Sequence, residues 1–221
     1  SDIVTEFRGR GDEIRVYPLS FSEFMSIYKG NSIEGFDEYI LYGGLPLIAT
    51  FKTAEEKIGY LSYQCDNVYI NDVIERNDIR NDAELRTLIE VISSSIGSLT
   101  NPTKLFNTFV SKGNKNITTK TIALYLKYLE EAFLVEKAKR YDIKGKKYIE
   151  TPAKYYFVDI GIRNSLINFR QIEKNHIMEN ILFTELKKRG FNVDIGVVEK
   201  RQSNGNGKKE YKQLEIDFVV N

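Results

Sequence analysis

Two carboxylates near the end of this 221-residue chain stand where hydrolytic chemistry could be done. Glu179 falls in the first turn of a predicted amphipathic helix over 177–189, which Gly190 ends. Asp217 falls in a predicted strand over 214–220, two residues after Glu215. A helix Glu, a strand Asp and a Glu-x-Lys on the next strand is how metal-dependent nucleases hold Mg²⁺. Hard oxygen ligands suit that ion, and the lysine positions the attacking water. No Glu-x-Lys follows Asp217 before the chain stops at Asn221. The competing reading is structural: Glu179 favours its helix N-terminus electrostatically, and Asp217 discourages edge pairing of a strand. The sole histidine, His176, has no partners at metal spacing and reads as a helix-start or surface residue.

A second group of residues has the chemistry of phosphate binding. Over 117–159 the sequence predicts a short helix, a strand at 133–141, a basic tip, and a return strand at 154–158. Thr118 is a natural N-cap, and Ile122, Leu126, Leu129 and Phe133 recur at helical spacing. A helix laid in a major groove reads bases with its N-terminal residues, here Thr119, Lys120 and Thr121. The tip carries Lys144, Lys146 and Lys147. Hydroxyls and ammonium groups suit phosphates at least as well as bases. The same residues also suit a solvated hairpin on a protein-docking module.

The elements ahead of this stretch fit a winged helix. Helices are predicted at 84–97 and from Pro102, the latter with proline at its first position. With the helix after Ile117, three helices precede a two-stranded wing. Further upstream, 54–76 reads as one helix whose buried stripe is Ile58, Leu61, Cys65 and Val68, which makes Cys65 a small hydrophobe rather than a nucleophile. Residues 36–42 form a helix stopped by Gly43-Gly44, and Pro46 blocks its continuation. No Lys-Ser/Thr follows that Gly-Gly-Leu-Pro turn, so it serves packing and not phosphate binding. Near the start, 13–17 alternates as a short strand, and Ser20 or Ser22 caps a helix bearing Phe21, Phe24 and Met25. Arg8 and Arg10 read either as a basic loop or as an arginine finger reaching a nucleotide on a neighbouring subunit.

Composition bounds these readings. Hydrophobic residues make up 42% and charged residues 29%, the balance of a globular chain. Net charge is +1, from 32 Lys+Arg against 31 Asp+Glu, so any DNA affinity rests on a local patch. One cysteine excludes an internal disulfide and a multi-cysteine metal site. No signal peptide and no apolar run of about 18 residues is present, so the expected compartment is the cytoplasm, without membrane contact. The chain opens without Met and stops in a predicted strand, which reads as a fragment of a longer protein.

Seven segments together carry a family resemblance: FRGRGDEIRVYPLSFSEF, YGGLP, DVIERN, TIALYLKYLEEAFLV, KYYFVDIGIRN, ENILFTELKKRGFNVDIG and EIDFVV. In this order the chain resembles the C-terminal region of a prokaryotic family of AAA-type ATPases, in which an ATPase core is followed by a winged helix and a nuclease-like domain of PD-(D/E)XK type and unknown function. The resemblance implies ATP and Mg²⁺ for the parent protein, and oligomerisation through its ATPase core. It implies no cofactor for this piece, which lacks a G-x-x-x-x-G-K-[ST] loop. Arg8 or Arg10 would sit just past the ATPase core. Glu179 and Asp217 match the first two acidic positions of the nuclease-like domain, which in the family often lacks its full catalytic set.

The fold expected is therefore α+β and mostly helical, in three parts. A helical segment spans 1–81, a winged helix-turn-helix 82–170, and a truncated α/β nuclease-like lobe 171–221. The expected role is a DNA- or partner-binding module attached to an ATPase, with the lobe inactive. The alternatives are a metal-dependent nuclease truncated before its last motif, and a protein-interaction module without DNA binding.

Overall fold

A computed structural model describes residues 14–113, 117–170, 173–203 and 209–221, with backbone alone at 201–203 and 209–212. The fold is α+β and mostly helical. Helices α1 (Phe21–Ile27) and α2 (Ser32–Tyr42) open it. Ser20 and Glu23 close a reciprocal capping box at α1. The Asn31 side chain accepts from the N–H groups of Ile33 and Glu34, which starts α2 one turn earlier than the apolar pattern indicates. A 3₁₀ turn at Pro46–Thr50 leads to α3 (Ala54–Tyr63).

The expected helix over 54–76 runs through, but not as a uniform helix. A π-helical segment, Gln64–Ile70, sits between α3 and α4 (Asn71–Arg76). Its wider turns rotate the buried stripe, which becomes Leu61, Cys65, Ile70 and Val73. Val68, within that segment and expected inside, is 46% exposed for that reason. Ile58, also expected inside, precedes the segment and is 39% exposed, the buried face of α3 being Lys57 and Leu61. Cys65 is buried as expected, and burial pushes its thiol up to about 12.

Three helices follow: α5 (Asp82–Ser94), α6 (Pro102–Ser111) and α7 (Thr119–Glu131). A hairpin of β1 (Val135–Asp142) and β2 (Lys147–Phe157) comes next. Between α5 and α6, Thr100 bridges to Ala153 of β2, exchanging N–H···O bonds of 2.8 and 2.9 Å. After the hairpin come α8 (Ile160–Leu166), α9 (Lys174–Lys188), β3 (Val193–Ser203) and β4 (Lys209–Val220). The strands form one sheet in the order β2-β1-β3-β4. β1 pairs parallel with β3, and the other two pairings are antiparallel. The hairpin and the C-terminal strands, placed on either side of 170 by sequence, thus share a sheet. Residues 14–17, expected as a strand, belong to no strand, and Ile14 and Val16 are 85% and 80% exposed. That alternation has no ladder to join, and Tyr17 is anchored by its side chain instead, donating to Glu136 and meeting the ring of Phe133 edge-on.

Two apolar clusters hold these layers. The larger joins the helices to the base of the hairpin and includes Phe24, Ile48, Leu85, Phe109, Leu126 and Phe157. The smaller lies where α9 crosses the sheet: Ala138, Tyr156, Phe183, Val193 and Ile195. Tyr156 and Phe183 stack there with centroids 4.3 Å apart, and burying each ring contributes about 2–3 kcal/mol.

Candidate functional site

The first site is built by α7 and the hairpin. Thr118 caps α7 as expected, its Oγ1 accepting from Thr121 N at 3.1 Å. Thr119 and Lys120 are exposed. Thr121 is half-buried, and its hydroxyl lies 2.9 Å from that of Thr118. The hairpin tip is shaped by Asp142, whose Oδ1 accepts from Lys144 N at 3.2 Å and Gly145 N at 2.9 Å. This Asx turn presents Lys144, Lys146 and Lys147 to solvent. Among the described residues none of the three has an ion pair.

Lysines nearer the helix are paired. Lys139 binds Glu150 at 3.0 Å, Lys137 approaches the same carboxylate at 4.0 Å, and Lys127 meets Glu131 at 3.3 Å. The hydrogen bond from Lys139 holds the Glu150 carboxyl below its ordinary range. A groove of about 240 Å³ lies between α7, the start of α6 and β2, and Lys127, Glu130, Lys137 and Glu150 line it. Burial raises the pKa of Glu130, which Lys137 opposes. Positive charge is therefore balanced in the groove and unbalanced at the tip.

The second site lies where α9, β2 and β4 meet. Helix α9 begins at Lys174, so Glu179 is in its second turn and not its first. The helix N-terminus is therefore not what holds it. Glu179 Oε1 accepts from Lys154 Nζ at 2.7 Å and from the Tyr156 hydroxyl at 2.6 Å. Lys154 Nζ also lies 2.7 Å from Glu215 Oε1, and its side chain is only 5% exposed. Burial alone would lower the pKa of this ammonium, but the bonds to Glu179 and Glu215 outweigh it and leave the pKa above its ordinary value. Burial, then the hydrogen bond to Glu179, drives the Tyr156 phenol upward. His176, in the first turn of α9, places Nε2 3.6 Å from Glu173 and Nδ1 3.9 Å from Glu179. Asp217 is exposed on β4, near enough for its charge to add to the field at Tyr156.

Whether this place fits a metal ion can be read from its donors. Among the described residues no three His, Cys, Asp or Glu side chains come together as an ion site. An ammonium already stands between Glu179 and Glu215. The residues present do not fit Mg²⁺. Lys154, Tyr156 and Glu215 were not singled out as site residues from sequence. The signal is visible in retrospect: one charged residue, Lys154, opens the otherwise uncharged return strand, with Tyr156 at period two on the same face.

Three of the sequence motifs are positioning devices around these sites. Asp159 is buried. Its Oδ2 accepts from Gly44 N at 2.8 Å and its Oδ1 from Ile162 N at 2.9 Å, so the Gly-Gly turn is pinned to the start of α8. Burial raises the Asp159 pKa against these backbone donors. Gly43 has φ +76°, and a Cβ there would lie 2.3 Å from Asp159 Oδ1 and 2.6 Å from Gly161 N. Asn164 donates to the carbonyls of Ile40 and Leu41 at the end of α2. Asn180, one residue after Glu179, accepts from Phe157 N at 2.7 Å and donates to Phe157 O at 2.8 Å. It completes the edge of β2 with a side chain and fixes α9 beside Lys154. Asp72 and Arg76 form the expected i,i+4 surface pair at 2.9 Å. Arg8 and Arg10 lie outside the described residues.

A family model described as a domain of unknown function, DUF8612, matches residues 33–173. An uncharacterized protein of Haemophilus influenzae is 36% identical over 225 residues, covering 99% of this chain and 52% of the relative. The uncharacterized protein MJ1544 of Methanocaldococcus jannaschii is 29% identical over 239 residues, covering 99% of this chain and 49% of the relative. The chain thus spans about half the length of the curated relatives it matches. No solved structure matches it.

Proposed function

The chain belongs to the DUF8612 family, and from that premise we propose that it is the DNA-binding module of a longer ATP-driven protein. In this reading α7 and the hairpin form a winged helix. The Thr119–Thr121 end of α7 and Lys144, Lys146 and Lys147 bind duplex phosphates, and the C-terminal lobe is a non-cleaving platform. The supporting observation is the contrast in charge pairing along the hairpin. Lys137 and Lys139 are held by Glu150, while the three tip lysines are exposed and, among the described residues, unpaired. The helix–bridge–helix–helix–hairpin order, with Thr100 bridged to Ala153, supports this reading. The ATPase core, its ATP and Mg²⁺, an oligomer built through that core, and a finger role for Arg8 or Arg10 belong to the parent in this proposal, as does a cytoplasmic location. Among the described residues no helix is long and apolar enough to cross a membrane.

The test is duplex binding across a salt series, with Lys144, Lys146 and Lys147 changed together to Ala. Each phosphate contact contributes about 0.9 to the slope of log affinity against log salt. The triple variant should flatten the slope by about 2–3. An unchanged slope removes the tip from the interface, and no binding at low salt ends the DNA reading for this chain. One observation favours a protein partner instead: Glu130 and Glu150 line the groove beside α7 and balance its lysines, which suits a mixed-charge protein surface better than a phosphate backbone. A partner held there would be weakened by Glu150→Lys, whereas DNA binding would be strengthened.

A further inference from the structure

We infer that the ammonium of Lys154 is the resident cation of the Glu179–Glu215 pair, occupying the place a divalent metal ion takes in a hydrolytic carboxylate site. The geometry is that of an occupied cation position. Nζ lies 2.7 Å from Glu179 Oε1 and 2.7 Å from Glu215 Oε1, and the two carboxylates come from different elements, α9 and β4. Calcium–oxygen distances run from about 2.3 to 2.6 Å. Replacing the ammonium by such an ion therefore requires each carboxylate to move inward by only a few tenths of an ångström. Magnesium, at about 2.0–2.1 Å, requires more.

The lysine is built in. It comes from β2, directly across from Ala138, which is fully buried, and its side chain is 5% exposed, so it cannot swing into solvent without opening the sheet's α9 face. Tyr156, two residues on, adds a hydroxyl donor to the same Glu179 oxygen that Lys154 binds. With that oxygen taking two donors, Oε1 has little left to offer an incoming ion while Lys154 is in place. One ammonium stands against two carboxylates, Glu179 and Glu215, so the pair keeps a net negative charge while the space between them is filled. The consequence is a lobe that keeps acids at nuclease-like positions yet is metal-independent, because the cation is supplied covalently by the hairpin. This inference goes beyond the binding role proposed above and holds whether or not the hairpin meets DNA.

The experiment compares the wild-type chain with Lys154→Met by calorimetric titration with calcium chloride and by thermal melts with and without it. The wild type should show no saturable binding up to about 1 mM, the weak end of protein calcium sites. Lys154→Met should melt lower, bind about one Ca²⁺, and regain about 5 °C or more with the ion present at a large excess over its Kd. Adding Glu179→Gln to that variant should abolish both gains. Two results overturn the inference: saturable binding by the wild type that Glu179→Gln removes, or a folded Lys154→Met that does not respond to the ion. If Lys154→Met does not fold alone, it is refolded in calcium chloride. Recovery of the wild-type circular dichroism spectrum then supports the inference, and failure to recover overturns it.

Discussion

Replacing Asn180 with alanine is the sharpest test of how α9 is tied to the sheet. Asn180 and Phe157 are each 1% exposed. The Asn180 amide accepts from Phe157 N and donates to Phe157 O, at 2.7 and 2.8 Å. Alanine leaves one buried N–H and one buried C=O without those partners. Each such loss costs about 1–3 kcal/mol, so the variant should be destabilised by about 2–5 kcal/mol, a large part of the total stability of a typical domain. The assay is urea unfolding followed by circular dichroism. With a slope of about 2–3 kcal/mol/M, the midpoint should fall by about 0.7–2.5 M. A fall of less than about 0.3 M at unchanged slope would refute the reasoning, because water or a neighbour would then be serving Phe157 as well as the amide does. Asn180→Asp adds a second check. It keeps the acceptor but turns the donor into a second oxygen facing the Phe157 carbonyl. At neutral pH it should be no more stable than the alanine variant. Its buried carboxyl would have a folded pKa above the unfolded one, so its stability should rise as pH falls.

Three further outcomes follow from the same geometry. Gly43→Ala should cost about 2 kcal/mol or more, measured by urea unfolding, because φ is +76° and the new methyl meets Asp159 and the Gly161 backbone at 2.3 and 2.6 Å. The Cys65 thiol, buried and pushed up to about 12, should be inert to a disulfide reagent at pH 8 in the folded chain and react fully once unfolded in urea. The Lys154 clamp should be pH-dependent at the alkaline end. Its folded pKa lies above the unfolded 10.5, so its contribution is complete below pH 10.5 and is lost as pH rises through the folded value. A Lys154→Met chain should lack that alkaline component of the stability curve.

Local signals in the sequence located most of the helices. Caps at Ser20, Asn101 and Thr118, stops at Gly43 and Gly190, and helical spacing of Leu and Ile are interactions within a few residues, so they can be read along the chain; the Asn31 cap, equally local, was passed over. The hairpin and its lysine tip were legible for the same reason, as was the buried character of Cys65. The π-helical turn was not, because an apolar stripe sampled at 3 and 4 looks alike until the wider turn rotates it. The expected position Val68 was exposed as a result.

Pairing across distance was decided only by the tertiary structure. Glu179 and Asp217 were visible as acids, but nothing along the chain states that Lys154, 25 residues before Glu179, reaches the same oxygen as Tyr156. Parallel pairing of β1 with β3 brings the hairpin into the C-terminal sheet and, with α9 across it, delivers a lysine into an acidic cluster. Residue types along the chain thus determined which side chains could hold or be a cation. The order of the strands determined that the cation at this site is the protein's own, because an ammonium's position depends on packing between elements far apart in sequence.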